Sequence, residues 1–179
     1  MPNDKNTDTI RQNAGPARPI DPTDRRILAA LTTRADLSYA ELGQEVGLSA
    51  PAVHERVKRL KASGVIEATV ARIDGAAIGK PLLAFIHVNT VGWGKTPELM
   101  ALCDLPEVEE MHSVTGDACV LIKARLADSA ALEGFLARLY DLPGVSSTQT
   151  YVALSSFTER VPQAGITESL SAPLPIRRR

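Results

Sequence analysis

Apolar side chains recur along this chain with two periods, and each run ends at a residue suited to stopping it. Asp21 is a good N-cap, Pro22 suits a first helical position, and Asp24 places an acid in the first turn. Ile27, Leu28 and Leu31 then form one apolar stripe, which predicts a first helix. Ser38 and Glu41 fit a capping box at the start of a second helix, where Leu42 and Val46 supply the buried face. Gly47 is placed to end it in a left-handed turn. Gly43, inside that helix, costs about 1 kcal/mol relative to Ala, a cost suited to close approach by another helix. Leu48 is expected to tuck into the turn and Ser49 to cap a third helix, on which Val53, Val57 and Leu60 share one face.

That third helix lies in the stretch "GLSAPAVHERVKRL" and carries Arg56, Lys58, Arg59 and then Lys61. With Val53 at the centre of the buried side, Pro51, Glu55 and Lys58 point outward, with His54 and Arg59 on the flanks. Arg56 falls near the edge of the buried stripe, placed either to pair with an acid or to reach a phosphate. Two short helices, a tight glycine turn and a basic outward face predict a helix-turn-helix over residues 20–66. The candidate DNA-contacting residues are Ser38, Ser49, Ala50, Pro51, His54, Glu55, Arg56, Lys58 and Arg59. Among them His54, Glu55, Lys58 and Arg59 have side chains able to reach base edges. After Gly64, "VIEATVARID" alternates like a strand, so residues 67–80 are expected to form a wing or linker strand, with Arg72 a further backbone contact.

The second half contains a repeat. "DLPEV" at Asp104 to Val108 recurs as "DLPGV" at Asp141 to Val145, each after a helical stretch and before a strand. A strand from Leu82 to Thr90 and a helix capped by Thr96, with Pro97 first, precede one copy. A strand from Cys119 to Arg125 and a helix starting at Asp128 precede the other; that helix carries Leu132, Phe135, Leu136 and Leu139. Strand, helix, strand, twice over, predicts a ferredoxin-like βαββαβ domain over residues 81–160. The whole is therefore an α+β chain, a winged helix-turn-helix joined to a ferredoxin-like domain. Between the repeats, Gly116-Asp117 suits a two-residue hairpin, setting Val114 opposite Cys119 and His112 opposite Leu121. Val120, Ile122 and Ala124 then point under the helices. Phe85, Val114 and Leu121 are expected on the other face, an apolar patch for which a second copy is the simplest cover.

Composition narrows the partners. Of 179 residues, 44% are hydrophobic and 23% charged, with net charge -1, which suits a soluble protein with one local basic patch rather than a polyanion binder all over. Aromatic residues are only 4%, against single-strand binding by base stacking. Cys103 and Cys119, far apart and without an export signal, predict a reducing compartment. "PLLAFIHV", the most apolar run, is too short to cross a bilayer, so no membrane partner is expected. Residues 1–19 and 161–179 are polar and aperiodic and are expected to be disordered tails. The location expected is cytoplasmic, with the nucleoid.

"IDPTDRRILAAL", "AELGQEVGLSAPAVHERVKRLKASGVIEATVARID", "SVTGDACVLIKA" and "GVSSTQTYVAL" together resemble the Lrp/AsnC family of prokaryotic transcription regulators, from about Ile20 to Arg160. The resemblance implies double-stranded DNA as partner, and a second domain that dimerises and senses a small molecule, usually an amino acid. It also implies further assembly to tetramers or octamers, with the effector near the hairpin turn. On matching positions it nominates Thr115, Gly116, Asp117 and Cys119, with Thr148 and Thr150 from the last strand. A turn with exposed N–H groups can hold a carboxylate. Many relatives carry an Asp followed by an aromatic where this chain has Cys119-Val120, so an effector's ammonium lacks that partner here.

Other chemistries find less support. His112, Cys119 and His87 share a sheet face if the register holds, but no C-x-x-C or H-x-x-x-H spacing accompanies them, and no metal is expected. With no phosphate loop or nucleophilic triad motif, neither a catalytic residue nor a cofactor is expected. The alternative from another class is a tetrapyrrole (siroheme-type) decarboxylase, since some proteins resembling the family are haem-pathway decarboxylases.

Overall fold

Helix α1 (Pro22–Thr33) begins as its cap dictates: the Asp21 carboxylate accepts from the Asp24 amide at 2.7 Å. At α2 (Tyr39–Val46) the capping box is complete, because Glu41 Oε2 accepts from the Ser38 amide at 2.8 Å while Ser38 Oγ accepts from the Glu41 amide. Gly47 ends that helix at φ 71°, a conformation that favours glycine. The reason for Gly43 differs from the one expected. A Cβ there would lie 2.5 Å from the carbonyl oxygen of Leu48, so the turn's own backbone, rather than another helix, demands the glycine. Helix α3 (Ala50–Ala62) follows from Ser49, whose backbone is extended but whose side chain makes no capping bond, a correction to its expected role.

Ile27, Leu37, Leu42, Val46, Val53, Val57 and Leu60 form the core of these three helices, with Leu28, Leu31, Leu48 and Ile66 packed against it. Each such side chain, fully buried, contributes about 1.5–3 kcal/mol.

The computed structural model describes residues 19–92 and 96–166, so the expected N-terminal tail lies outside them except for Pro19, and the C-terminal one from 167 onward. Two compact units result: the chain up to Val70 with the chain from Arg160, and Ala71–Glu159. The division falls inside the segment expected to be a wing or linker strand. No strand forms there: Val70 and Ile73 are exposed, and an alternating run with no neighbouring strand has nothing to complete its backbone hydrogen bonds. In the described part of the expected C-terminal tail, the Ala164 carbonyl accepts from Arg25 Nη1 at 2.9 Å.

In the second unit β1 (Leu82–Thr90), β2 (Val108–Ser113), β3 (Val120–Leu126) and β4 (Val145–Val152) form one antiparallel sheet in the order β2-β3-β1-β4. Helix α4 (Pro97–Met100), capped by Thr96, runs on as a 3₁₀ turn, Ala101–Asp104, and α5 (Ser129–Tyr140) is capped by Asp128. This is the ferredoxin-like plan.

The repeated pentapeptide serves the same purpose twice. The Leu105 amide donates to Leu102 and the Val108 amide to Leu105; in the second copy Leu142 donates to Leu139 and Val145 to Leu142. Both turns thus end a helical segment on a buried leucine and aim the chain into a strand. Ala84, Ile86, Val88, Val120, Ile122, Ala124 and Leu126 pack beneath Leu99, Leu102, Leu132, Phe135 and Leu139. No described helix is long and apolar enough to cross a membrane.

Candidate nucleic-acid interface and effector turn

At about 100° per residue, α3 has three sides. Val53, Val57 and Leu60 are buried; Arg56 and Arg59 face α1; Pro51, His54, Glu55, Lys58 and Lys61 are exposed. The side facing α1 is closed by ion pairs. Asp24, only 4% exposed, accepts from Arg56 Nη1 at 2.7 Å and from Arg59 Nη2 at 2.9 and 3.0 Å. Arg56 Nη1 also reaches Asp21 at 2.6 Å. The Arg56 hydrogen bond, then the Asp24 amide, holds the Asp21 carboxyl below its ordinary value, and the two acids raise Arg56 in turn.

Two of the nine DNA-contact candidates, Arg56 and Arg59, are thus engaged by acids at the start of α1. Of the two uses open to Arg56, pairing with an acid is the one realised, and Arg59 is drawn to the same carboxylate. Lys58 and Lys61 make no ion pair among the described residues and are exposed. Ser38 and Ser49 stand at the N-cap positions of α2 and α3, with Ala50 and Pro51 in the first turn of α3. Tyr39, absent from the sequence candidates, is exposed at the start of α2 with its ring centroid 5.0 Å from that of His54. Nothing in the local pattern marks it, since the contact joins residues on different helices.

The sheet face away from the helices carries the second set. The hairpin register is the one expected, with His112 opposite Leu121 and the Val114 amide donating to the Cys119 carbonyl at 3.1 Å. Phe85, Val114 and Leu121 are half-buried on that open face, as expected, and His87 and His112 share it, whereas Cys119 packs against the core beneath the helices. His87 packs edge-on against Tyr151, and His112 Nε2 lies 3.1 Å from Glu110. Among the described residues no group of three or more His, Cys, Asp or Glu is placed to hold a metal.

One end of the open face is ionic. A bulge between Val108 and Glu110 sets Glu109 and Glu110 together against Lys123, at 3.2 Å each. Arg125 binds Glu109 and, at 2.7 Å, Glu159 from beyond β4. Burial pushes the Glu109 carboxyl up, but the hydrogen bonds from Arg125 and Lys123 outweigh it and leave it below its ordinary value. Both cations on this end are matched by acids.

The six effector candidates divide. Thr115, Gly116 and Asp117 are exposed in the turn, with Gly116 at φ 123°, and Cys119 is half-buried beside Thr90, whose backbone and hydroxyl lower its thiol pKa. Thr148 and Thr150 stand opposite Val88 and Ile86, on the face under the helices. The Thr148 hydroxyl donates to the Tyr140 hydroxyl of α5 at 3.0 Å. A single chain therefore does not gather the turn and these two threonines into one site.

Residues 20–61 match the model of the AsnC-type helix-turn-helix domain, and residues 83–163 that of the Lrp/AsnC ligand binding domain. The chain is 35% identical over 142 residues to the HTH-type transcriptional regulator FL11 of Pyrococcus horikoshii, covering 79% of this chain and 93% of that protein. It is 35% identical over 145 residues to the leucine-responsive regulatory protein of Escherichia coli, covering 78% and 87%. Among solved structures, the feast or famine regulatory protein of M. tuberculosis, complexed with L-methionine, aligns with a TM-score of 0.75 and 29% identity, over 82% of this chain and all (100%) of that one.

Proposed function

The chain belongs to the Lrp/AsnC family of DNA-binding transcription regulators, and on that premise we propose how its residues divide the work. Helix α3 enters the major groove with Pro51, His54, Glu55, Lys58 and Lys61 outward, and Ser38, Ser49 and Ala50 approach the phosphates at the helix starts. Arg56 and Arg59 brace α3 against α1 instead of touching DNA. The observation that carries this assignment is the pairing of both arginines with Asp24, which leaves Lys58 and Lys61 as the cations of the helix without an ion pair among the described residues.

The second domain joins two copies through the apolar end of the open face, at Phe85, Val114 and Leu121, so that two α3 helices meet paired half-sites. Dimers assemble further into tetramers or octamers on the chromosome, which keeps the protein with the nucleoid in the cytoplasm. An amino acid or related small molecule binds at Thr115, Gly116 and Asp117, where exposed amides suit its carboxylate, with Cys119 beside them. Thr148 and Thr150 are left out of this assignment because they face α5. Effector binding favours one arrangement of dimers over another and so alters the spacing of the DNA-reading helices.

Selection of genomic fragments on the purified protein, with and without candidate amino acids, tests the reading as a whole. Replacing both Lys58 and Lys61 by Ala is expected to lower the slope of log affinity against log salt by about 1–2, near 0.9 for each phosphate that is no longer neutralised. A slope equal to wild type would overturn their assignment to phosphate.

A further inference from the structure

The exposed side of α3 is not uniform. Lys58 and Lys61 are flexible cations, suited to phosphate wherever it lies. His54 is different, because its ring is held. Tyr39 packs against it with ring planes tilted by 48° and centroids 5.0 Å apart. His54 Nδ1 also lies 3.7 Å from Glu55 Oε1, beyond hydrogen-bond reach. Tyr39 in turn follows Ser38, whose amide and hydroxyl are both engaged by Glu41, so its backbone is fixed by the capping box.

Both rings nevertheless remain open to a partner. Tyr39 keeps 39% of its surface exposed and the His54 side chain 51%. Surface side chains ordinarily keep their rotamer freedom. A histidine packed against an aromatic ring, with Nδ1 on the side nearer a carboxylate, has Nε2 as the ring nitrogen left for a partner. Direct reading of a base pair needs such a fixed polar group, because hydrogen bonds to base edges discriminate only when their geometry is constrained.

We propose that Tyr39 and His54 act as one reading unit. Tyr39, from α2, is a positioning residue that holds the His54 ring so that Nε2 hydrogen-bonds the major-groove edge of a single base pair in each half-site. The inference rests on the placement of α3 in the major groove and adds a residue of α2 to the determinants of specificity.

Selection from a random duplex library, using the full-length protein and its His54→Ala, Tyr39→Ala and Tyr39→Phe variants, tests it. Wild type is expected to select a two-part motif. His54→Ala loses the base preference at one position of each half by about 5–100-fold, with the other positions kept. Tyr39→Ala weakens that same position by a smaller factor, and Tyr39→Phe, which retains the ring, restores it. A purely structural role for Tyr39 would instead weaken all positions together, and that result overturns the proposal. So does a Tyr39→Ala or His54→Ala motif identical to that of wild type, which leaves the DNA-binding assignment of α3 intact. Failure of wild type to select any motif overturns both.

Discussion

Asp24 is a buried carboxylate shared by two arginines from another helix, and on the proposed reading it sets which cations of α3 remain for DNA. A buried charge is tolerated only when paired, and here both oxygens are occupied. Replacing Asp24 by Asn removes the charge while leaving two arginines gathered around a neutral amide. The expected cost is about 1–3 kcal/mol, toward the lower end because Arg56 and Arg59 keep some exposure to water. Urea unfolding of the full chain followed by helix signal checks it, and an unchanged midpoint would contradict the bracing role. Alanine at Arg59 is accordingly a poor probe of DNA contact, since it disturbs the packing of α1 on α3 as well.

Among the elements, the junction of α2 with α3 is tightly constrained. The Leu48 amide donates to the Gly43 carbonyl at 2.9 Å, folding the turn back on the helix it leaves. Gly43→Ala gains about 1 kcal/mol in helix propensity. The added methyl, however, would meet backbone at 2.5 Å, where no side-chain rotation relieves the overlap. Overpacking of this kind typically costs about 1–3 kcal/mol, so the variant is expected to be less stable and to bind DNA more weakly. A rise in melting temperature would show that the turn yields more readily than its geometry implies.

At the scale of the whole molecule, the open sheet face keeps apolar side chains that its own chain covers only in part. Its two ends differ. Leu83, at the end beside Arg125, is buried within its own chain, while Phe85, Val114 and Leu121 are only partly covered. The ionic end needs no cover, since Glu109, Glu110 and Glu159 already compensate Lys123 and Arg125. A carboxylate introduced at Leu121 has His87 and His112 opposite it instead of a lysine or arginine, and a second copy would bury it. Leu121→Asp is expected to convert the oligomer to monomers, observed by sedimentation, and a mutant that sediments like wild type would refute the open-face interface.

Much of this was legible in the chain itself. The caps at Asp21, Ser38 and Thr96, the helix start at Asp128, the left-handed turn at Gly47, the core stripes, the repeated turns and the hairpin register all depend on residues close in sequence. Their physics is local, acting through helical or strand period and backbone hydrogen bonds. Other features were settled only by the folded chain. The grip of Asp24 on Arg56 and Arg59 spans 32 and 35 positions, and Tyr39 meets His54 across two helices. Thr148 and Thr150 turned toward α5 because their strand took its register from β1. The segment after Ile66 had the alternation of a strand but found no neighbour to make it one. Local rules specify what an element is; which charge meets which acid depends on how the elements are packed, because those contacts exist only once distant parts of the chain are brought together.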